Sequence, residues 1–298
     1  MIIVRLSGGL GNQMFQYAFG KSVSIKTGRK LKFDISFFDK QNHRKLEIIN
    51  YLTNIDTATK DEIINTLFPR NILLKKIASI FKGVWRFSNN YIQEVKSFAF
   101  EKNVFEINRS LYFDGYWQNL NYFDDIRDIL LKEFQPKETL DDYSLSIEQK
   151  MSLGESVSIH VRAGDYLKIP EVRDICNGEY YSKAVSIIKE KIMSPNFFVF
   201  CEDEDYAKKI LPKDLKYTVI HSNINKPFID LLLMSKSRNN IIANSSFSWW
   251  GAWLNQNQGK TVVCPKVWHN KHKEADITPV DWIKIESGFL SNRKYGKI

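Results

Sequence analysis

Short runs of apolar and β-branched residues alternate with longer stretches of helical periodicity along the chain. A short apolar run predicts a buried strand, whereas apolar positions that recur every three or four residues predict a helix. Alternation of the two is typical of parallel sheets that carry helices on their faces. The predicted strands are residues 2–6, 30–33, 111–113, 156–161, 197–200, 217–220, 240–243 and 261–264. The predicted helices are residues 12–26, 122–133, 179–193, 206–210, 227–234 and 247–254.

The periodic pattern lapses around Gln135–Glu138, and the alternation is more regular after it. A chain of 298 residues is long for one domain. We therefore predict two Rossmann-like domains, residues 1–150 and 151–298, that face each other across a cleft. In doubly wound sheets, ligands bind at the carboxyl ends of the strands. The residues that directly follow predicted strands are therefore the candidates for chemistry.

The first candidate is the glycine-rich segment Ser7–Gln13, which follows the opening strand. Glycines let backbone N–H groups approach a ligand closely, and the start of the next helix favours an anion. Asp34 ends the second predicted strand, where a dinucleotide-binding protein places a ribose-binding acid. The dinucleotide pattern fails, however, because Met14 stands at its third glycine position. By itself the segment fits a tight strand-to-helix turn equally well.

The second candidate is His160–Tyr166, at the end of the predicted strand 156–161. Strand alternation places His160 and Arg162 on one face at the carboxyl edge. A guanidinium group binds oxyanions in a fork and suits a diphosphate, and a neighbouring histidine can hydrogen-bond a ribose or a phosphate. The structural alternative is an ion pair between Arg162 and Asp165, with His160 as an ordinary core residue.

The third candidate is the polar run that precedes the tryptophan-rich helix at residues 247–254. Hydroxyl and N–H groups at a helix N-terminus form a natural phosphate seat. An ordinary helix cap would need only one serine, Ser245 or Ser246, so the polar run exceeds what capping requires. The alternative is a serine cap on a helix of the core.

The acidic run Glu202–Asp205 resembles the acidic element that holds a metal ion in some enzymes. Acidic residues are also favoured in the first turn of a helix. Because no further cluster of carboxylates or histidines accompanies the run, we predict a helix start and no metal site.

The formal charge of +9 leaves nucleic acid, anionic lipid and phosphorylated small molecules as possible partners. We predict no nucleic-acid binding, since aromatic residues are not interleaved with the basic ones. A basic excess between Arg70 and Lys96 accompanies a helical apolar stripe of Leu73, Ile77, Ile80, Phe81 and Val84. We predict that the stripe packs on the core; the alternative is a helix lying on a membrane surface. Three scattered cysteines and the lack of a long apolar run predict a cytoplasmic protein.

Together these segments resemble the bacterial α-1,2-fucosyltransferases of glycosyltransferase family 11. Gly8–Ala18 is similar to the N-terminal signature of that family, and His160–Tyr166 is similar to its central HxRRGDY motif. Asp230–Ser235 and Ile241–Leu254 resemble its C-terminal signature. The resemblance extends from Ile3 to about Trp282.

The resemblance implies a GT-B-like fold, GDP-L-fucose as donor, inversion at the anomeric carbon, and neither a metal nor another cofactor. By analogy, Arg162 binds the β-phosphate, His160 the nucleoside side, and Asp230 the N1 and N2 hydrogens of guanine. The donor-binding set is completed by Asn244, Ser245, Ser246 and Phe247 in the C-terminal domain and by Gly9, Gly11, Asn12 and Gln13 in the N-terminal domain.

One position departs from the family pattern, because Ala163 stands where a second arginine is usual. The expected mechanism needs stabilisation of the leaving GDP and a base for the acceptor hydroxyl. Asp165 is the first candidate for the base and Asp34 the second. The expected acceptor is a galactose-containing oligosaccharide or lipid-linked repeat unit of O-antigen or capsule, with peripheral contact at the inner membrane face. The alternatives are a nucleotide-dependent oxidoreductase and a non-catalytic carbohydrate-binding protein.

Overall fold

The structure, a computed structural model, describes residues 1–40, 43–221, 226–272 and 277–286; the side chains of Lys40 and Asp165 lie outside this description. The chain divides into two compact units, Met1–Lys137 and Glu138–Ile298. Residue 150, where the sequence places the domain boundary, lies inside a helix, Asp142–Ser152. That helix buries Ile147 and Met151 and packs within the second unit.

The first unit contains a parallel sheet of four strands in the order β2-β1-β4-β3. The strands are β1 (Ile2–Arg5), β2 (Leu31–Asp34), β3 (Tyr91–Gln93) and β4 (Leu111–Asp114). The helices are α1 (Leu10–Thr27), α2 (Lys60–Leu67), α3 (Ile72–Ile80) and α4 (Arg127–Glu133). The helix predicted at residues 122–133 is α4 preceded by two short 3₁₀ turns.

The second unit contains a parallel sheet of six strands in the order β10-β9-β8-β5-β6-β7. The strands are β5 (Ser156–Val161), β6 (Asn196–Cys201), β7 (Tyr217–His221), β8 (Asn239–Ile241), β9 (Val262–Pro265) and β10 (Ile283–Ile285). The helices are α5 (Asp142–Ser152), α6 (Gly178–Lys191), α7 (Glu204–Ile210), α8 (Pro227–Lys236) and α9 (Ser246–Leu254).

Each sheet has one point at which the strand order reverses. In the second unit the chain runs outward from β5 to β7, returns to the other side of β5 as β8, and continues to β10. The reversal therefore lies between β5 and β8. In the first unit it lies between β1 and β4. The loops that leave the two strands at such a point diverge and open a crevice, which is where doubly wound sheets bind their ligands.

The two faces of β5 have different neighbours. Val157, Ile159 and Val161 belong to the apolar core that also contains Tyr180 and Tyr181 of α6. Ser158 points to the other face, where its Oγ accepts a hydrogen bond from Asn240 Nδ2 at 2.7 Å, and the same amide donates to the α8 carbonyl of Met234 at 2.8 Å. His160 shares the parity of Ser158 and therefore the face covered by α8 and α9.

Four of the five residues of the predicted apolar stripe are exposed, and the fifth, Val84, packs on the core. The prediction that the stripe faces inward is therefore wrong for most of it. Ala78 is the buried residue of α3, and Trp85 in the following turn donates its Nε1 hydrogen to the Ala78 carbonyl at 3.1 Å. Ile80 and Phe81, in contrast, are 88% and 64% exposed. Ala78 and Trp85, together with the partly buried Leu74 and Val84, hold the segment to the core, whereas its exposed apolar side chains point to solvent. None of the helices within the described ranges has both the length and the apolarity that a bilayer crossing requires.

Candidate functional site

His160 is buried at the carboxyl end of β5, with its ring 5.8 Å from that of Phe247 at the start of α9. Burial, and secondarily the charge of Arg162, lowers the pKa of His160 to about 3. The imidazole is therefore neutral at physiological pH. Its Nδ1 is buried and makes no hydrogen bond to any part of the chain that the structure describes. A buried polar atom without a partner is costly, so this nitrogen is suited to a ligand group.

The low pKa of His160 predicts a pH-dependent stability. Between pH 6.5 and 3 the unfolded chain binds a proton here that the folded chain excludes, so the free energy of unfolding falls as the pH drops. We expect His160 to account for a loss of about 2 kcal/mol between pH 7 and pH 5. Urea unfolding at both pH values should show that His160→Asn removes this part of the loss. His43→Asn, at an exposed position, should leave the pH dependence unchanged.

Arg162 lies directly beyond β5 and pairs with Glu202, which lies directly beyond β6. The register of these strands, Val161 opposite Cys201, brings the two side chains side by side. The Arg162 guanidinium also lies 4.8 Å from the ring centre of Tyr166. Gly164 has a φ of +61°, and a Cβ there would meet Glu202 Oε2 at 2.9 Å. A larger residue here would have to adopt a strained left-handed backbone and displace the Glu202 carboxylate.

The anion-binding capacity of this edge extends to α9. Ser245 is the N-cap residue, yet its side chain makes no capping hydrogen bond, so the hydroxyl is not committed to closing the helix. The first turn of α9 contains no acidic residue, and the first N–H groups of a helix have no intrahelical acceptors. The N-terminus of α9 therefore presents a positive potential at the carboxyl edge of the sheet.

Of the other predicted site residues in this unit, Asn244 is hydrogen-bonded to a loop and Asp230 is buried in α8. Asn244 donates through Nδ2 to the carbonyl of Val172 at 2.9 Å, so its amide holds the adjoining loop. Asp230 lies in the first turn of α8 and is 4% exposed. The helices α8 and α9 approach closely at Gly251, where a Cβ would meet that of Met234 at 2.9 Å. The side chain of Asp165 lies outside the described residues.

The acidic run Glu202–Asp205 is the start of a helix, as predicted. Asp203 caps α7 by accepting the N–H of Tyr206 at 2.9 Å. Glu204 pairs with Lys208 one turn later. Within the described parts of the chain, no three His, Cys, Asp or Glu side chains come together in a way that could hold a metal ion.

In the first unit, the glycine-rich segment is a tight turn into α1. Gly8 has a φ of +76°, and Gly9 is the N-cap residue of α1. Gln13 is fully buried and makes four hydrogen bonds: its Nε2 donates to the carbonyls of Gly8 and Lys45, and its Oε1 accepts the N–H groups of Glu47 and Ile48. Its amide group is committed to these bonds, so Gln13 positions the turn.

Gly11 and Asn12 lie in the first turn of α1, and both take part in further interactions. The Asn12 Oδ1 accepts a hydrogen bond from Gln118 Nε2 at 2.8 Å. This bond ties the glycine turn to the loop that follows β4. The two loops at the reversal of the four-stranded sheet are thus joined.

Asp34 is not available as a base. It is 2% exposed, and its two oxygens accept hydrogen bonds from the Tyr112 hydroxyl at 2.6 Å and from the Ser36 N–H at 2.9 Å. Its neighbour at the sheet edge, Asp114, is more open: its side chain is 21% exposed and contacts Arg5 Nη1 through both oxygens at 3.1 Å. Arg5 ends β1 and Asp114 ends β4, so this ion pair stands at the strand reversal of the first unit.

Sequence reasoning missed three of these residues: Arg5, Asp114 and Glu202. Arg5 lies near the end of one predicted strand and Asp114 directly follows another, so their position carried the signal that was used for His160 and Arg162. Glu202 was considered as a helix-start residue, but its pairing with Arg162 depends on β5 and β6 being neighbours in the sheet.

Known proteins are similar to this chain in sequence and in fold. Residues 1–286 match the profile of Glycosyl transferase family 11. The chain is 32% identical to an alpha-1,2-colitosyltransferase of Escherichia coli, with 96% of this chain and 99% of the relative aligned. It is 33% identical to the O-antigen biosynthesis glycosyltransferase WbnK of Escherichia coli, over 94% and 99% of the two chains.

Among solved structures, a mutant of Arabidopsis thaliana FUT1 in complex with GDP superimposes with a TM-score of 0.50 and 14% identity, covering 88% of this chain and 69% of that one. At this identity the likeness concerns the fold alone, which is GT-B-like, with parallel α/β architecture in both units. The match to the family profile spans nearly the whole chain, as the resemblance at the three signatures led us to expect. The protein belongs to glycosyltransferase family 11.

Proposed function

We propose that this glycosyltransferase moves L-fucose from GDP-β-L-fucose to a galactoside hydroxyl in α-1,2 linkage, with inversion. The observation that carries the proposal is the placement, at the β5–β8 reversal, of three groups: an arginine, a buried histidine nitrogen with no hydrogen-bond partner among the described residues, and a helix N-terminus whose N-cap hydroxyl makes no capping bond. These are groups that bind a nucleoside diphosphate. The family supplies the reaction class, namely sugar transfer.

The diphosphate would lie between Arg162 and the first turn of α9, with Ser245, Ser246 and Phe247 contributing N–H and hydroxyl groups. When the bond between the anomeric carbon and the β-phosphate oxygen breaks, negative charge develops on GDP and positive charge on the sugar. Donors fixed in place before the reaction stabilise that charge without reorganising. Because Arg162 and the helix N-terminus supply this stabilisation, we propose that transfer needs no metal ion.

Inversion requires the acceptor oxygen to approach the anomeric carbon from the face opposite GDP. The new bond forms as the old one breaks, and the acceptor proton passes to a carboxylate or, late in the reaction, to the released phosphate. Asp165 stays our candidate for the base, since its backbone lies in the turn Gly164–Lys168 that follows Arg162. The bonded, buried Asp34 is withdrawn from that role.

Recognition of the nucleoside is assigned to the α8 side. Asp230 is buried on the helix that packs against α9, and its carboxylate would accept the N1 and N2 hydrogens of guanine. His160, neutral and with Nδ1 unpartnered among the described residues, would hydrogen-bond the nucleoside side of the donor. Asn244 would contribute to donor binding indirectly, because its amide holds the loop beside Ser245.

We assign the acceptor to the first unit. The partly exposed ion pair Arg5–Asp114 lies at the strand reversal of this unit. A sugar hydroxyl both donates and accepts hydrogen bonds, so it can bind to a carboxylate and a guanidinium that lie side by side. Gly9, Gly11 and Asn12 form the turn at the same reversal and would contribute backbone and amide groups to the substrates. Gln13 would act by holding that turn.

The donor sugar has a specific second candidate, because a relative aligned over 96% of this chain is named a colitosyltransferase. Colitose is L-fucose without its 3-hydroxyl group. A site that hydrogen-bonds this hydroxyl rejects the deoxy sugar by about 10⁴-fold, whereas a site that merely leaves room for it discriminates about 10²-fold or less.

A competition assay separates the two donors. The protein is given equal amounts of GDP-fucose and GDP-colitose with a panel of β-galactosides in excess EDTA, and the products are analysed by mass spectrometry and NMR. We expect an α-1,2-fucosylated product formed at an undiminished rate in EDTA. A product that contains mainly colitose would reassign the donor. Activity that is lost in EDTA and restored by Mn²⁺ would reject metal-independent transfer.

The names of the relatives also suggest the biological setting. We propose that the acceptor is a galactose-containing oligosaccharide or lipid-linked repeat unit of O-antigen or capsule, and that the protein works in the cytoplasm at the inner membrane face. The assay above extends to this point by including a galactosyl repeat unit on a polyprenyl diphosphate beside the soluble galactosides.

A further inference from the structure

The segment from α3 to the following turn presents large apolar side chains to solvent. We define this α3 surface as residues 70–87. Its exposed apolar residues are Ile72, Leu73, Ile77, Ile80, Phe81 and Phe87, each between 41% and 88% exposed. The segment is nevertheless anchored, because Ala78 and Trp85 are buried in the core cluster that contains Tyr112. The apolar side chains are thus held outward by a fixed backbone. Adjacent exposed apolar side chains of this number typically mark an interaction site.

The same surface carries positive charge alone. Between Glu62 and Glu94 the chain contains no acidic residue. It contains five basic ones there: Arg70, Lys75, Lys76, Lys82 and Arg86. None of the five forms an ion pair with a carboxylate of the described residues, although lysines elsewhere in this unit, such as Lys21 and Lys32, do. Lys82 donates to the Ser36 hydroxyl and lies 4.9 Å from the ring centre of Trp85.

The combination of exposed apolar side chains and positive charge distinguishes between two partners that could cover the α3 surface. A second copy of the chain, packed symmetrically through this surface, would bring the same basic residues against one another, and like charges in a buried interface repel. An anionic bilayer, in contrast, attracts the charges and also accepts apolar side chains at the boundary between headgroups and acyl chains. The chemistry of the α3 surface therefore matches lipid and opposes self-association.

We propose that the α3 surface binds the protein reversibly to membranes that contain anionic lipids, with Ile80, Phe81 and their apolar neighbours entering the interface and the basic residues contacting headgroups. The proposal does not depend on which donor sugar is used. It gives the protein a defined membrane-facing side, formed entirely by the first unit.

Vesicle flotation of the full chain tests the proposal. We expect binding to vesicles of phosphatidylcholine with phosphatidylglycerol at low salt, weaker binding at high salt because the charges are screened, and little binding to phosphatidylcholine alone. The variant R70E/K76E/R86E should bind far less, since each basic residue near an anionic surface changes partitioning about fivefold. All three positions are exposed, and melting temperature verifies the fold.

A matched control variant distinguishes the effect of this surface from the effect of net charge. The variant K191E/K213E/K216E makes the same change in net charge at three exposed lysines of the second unit, and it should bind vesicles like the wild type. A second variant, I80S/F81S, should also bind more weakly while keeping its charges. The proposal is overturned if the wild type does not bind anionic vesicles, if the control variant loses as much binding as the test variant, or if sedimentation shows that the surface forms dimers. Activity on a soluble galactoside should be equal in all variants, so a failure here is distinguishable from a failure of the proposed reaction.

Discussion

Replacing Arg162 with alanine should lower kcat/KM for sugar transfer about 100-fold or more while leaving the fold intact. In the proposed site, this guanidinium supplies a fixed positive charge to the leaving diphosphate. The loss of one such preorganised contact costs a few kcal/mol of transition-state stabilisation. Steady-state kinetics with the donor varied would measure the loss, and circular dichroism would verify the fold.

Two further variants sharpen this test. Arg238→Ala removes an exposed arginine that pairs with Glu155 at 3.2 Å near the start of β8, so it should leave the rate unchanged. Glu202→Gln removes the carboxylate that would compete with phosphate for Arg162 in the proposed site, so calorimetry should show tighter binding of GDP. If Arg162→Ala keeps wild-type kcat/KM, or if Glu202→Gln leaves GDP affinity unaltered, the pair is a purely structural ion pair.

Asp230→Asn should weaken GDP binding about 30- to 100-fold and leave the KM for the acceptor nearly unchanged. A carboxylate accepts from both guanine hydrogens, whereas an amide offers one acceptor and one mismatched donor. Hydrogen bonds to a charged group contribute about 1.5–3 kcal/mol, and a mismatched buried donor adds to the loss. Calorimetric titration with GDP and ADP would measure both affinity and selectivity.

The matched control for Asp230 is Asp142→Asn, at an exposed acid in the first turn of α5. Both substitutions remove a charge that favours a helix N-terminus, so any shared effect reports on helix stability alone. An Asp230→Asn protein that still prefers GDP to ADP by the wild-type factor would remove Asp230 from the guanine pocket.

The buried strands were the most predictable part of the fold. The residues of β5 are all buried, and β6 is a nearly continuous apolar run, so each stands out against polar loops. The edge strands β3 and β10 were missed because each has three residues with mixed burial and no distinct pattern. Helix α2 was also missed, although its capping box, Thr59 with Glu62, was present in the sequence.

The residues of the candidate site were predictable where their place depends on position within one strand. They were less predictable where it depends on which strands lie side by side in the sheet. His160 and Arg162 follow from strand alternation, but the partner of Arg162 follows only from the order of the strands. Asp34 looked suitable as a base because it lies at the end of a strand. Its carboxylate, however, accepts a hydrogen bond from the hydroxyl of Tyr112, which is 78 positions away in the sequence and could not be foreseen as its partner. For α3, periodicity identified the apolar face but not what covers it.

The close approach of α8 and α9 at Gly251 has a mechanical consequence. There, the helix that bears Asp230 packs so near the helix proposed to hold the diphosphate that a Cβ on Gly251 would stand 2.9 Å from that of Met234. Helices in such contact move as one body, because neither can shift without a clash. If the proposed roles of Asp230 and of α9 hold, the groups that read the base and those that hold the phosphates are carried by one stiff unit. A nucleotide with the wrong base would then also have its diphosphate displaced, and with it the bond that breaks.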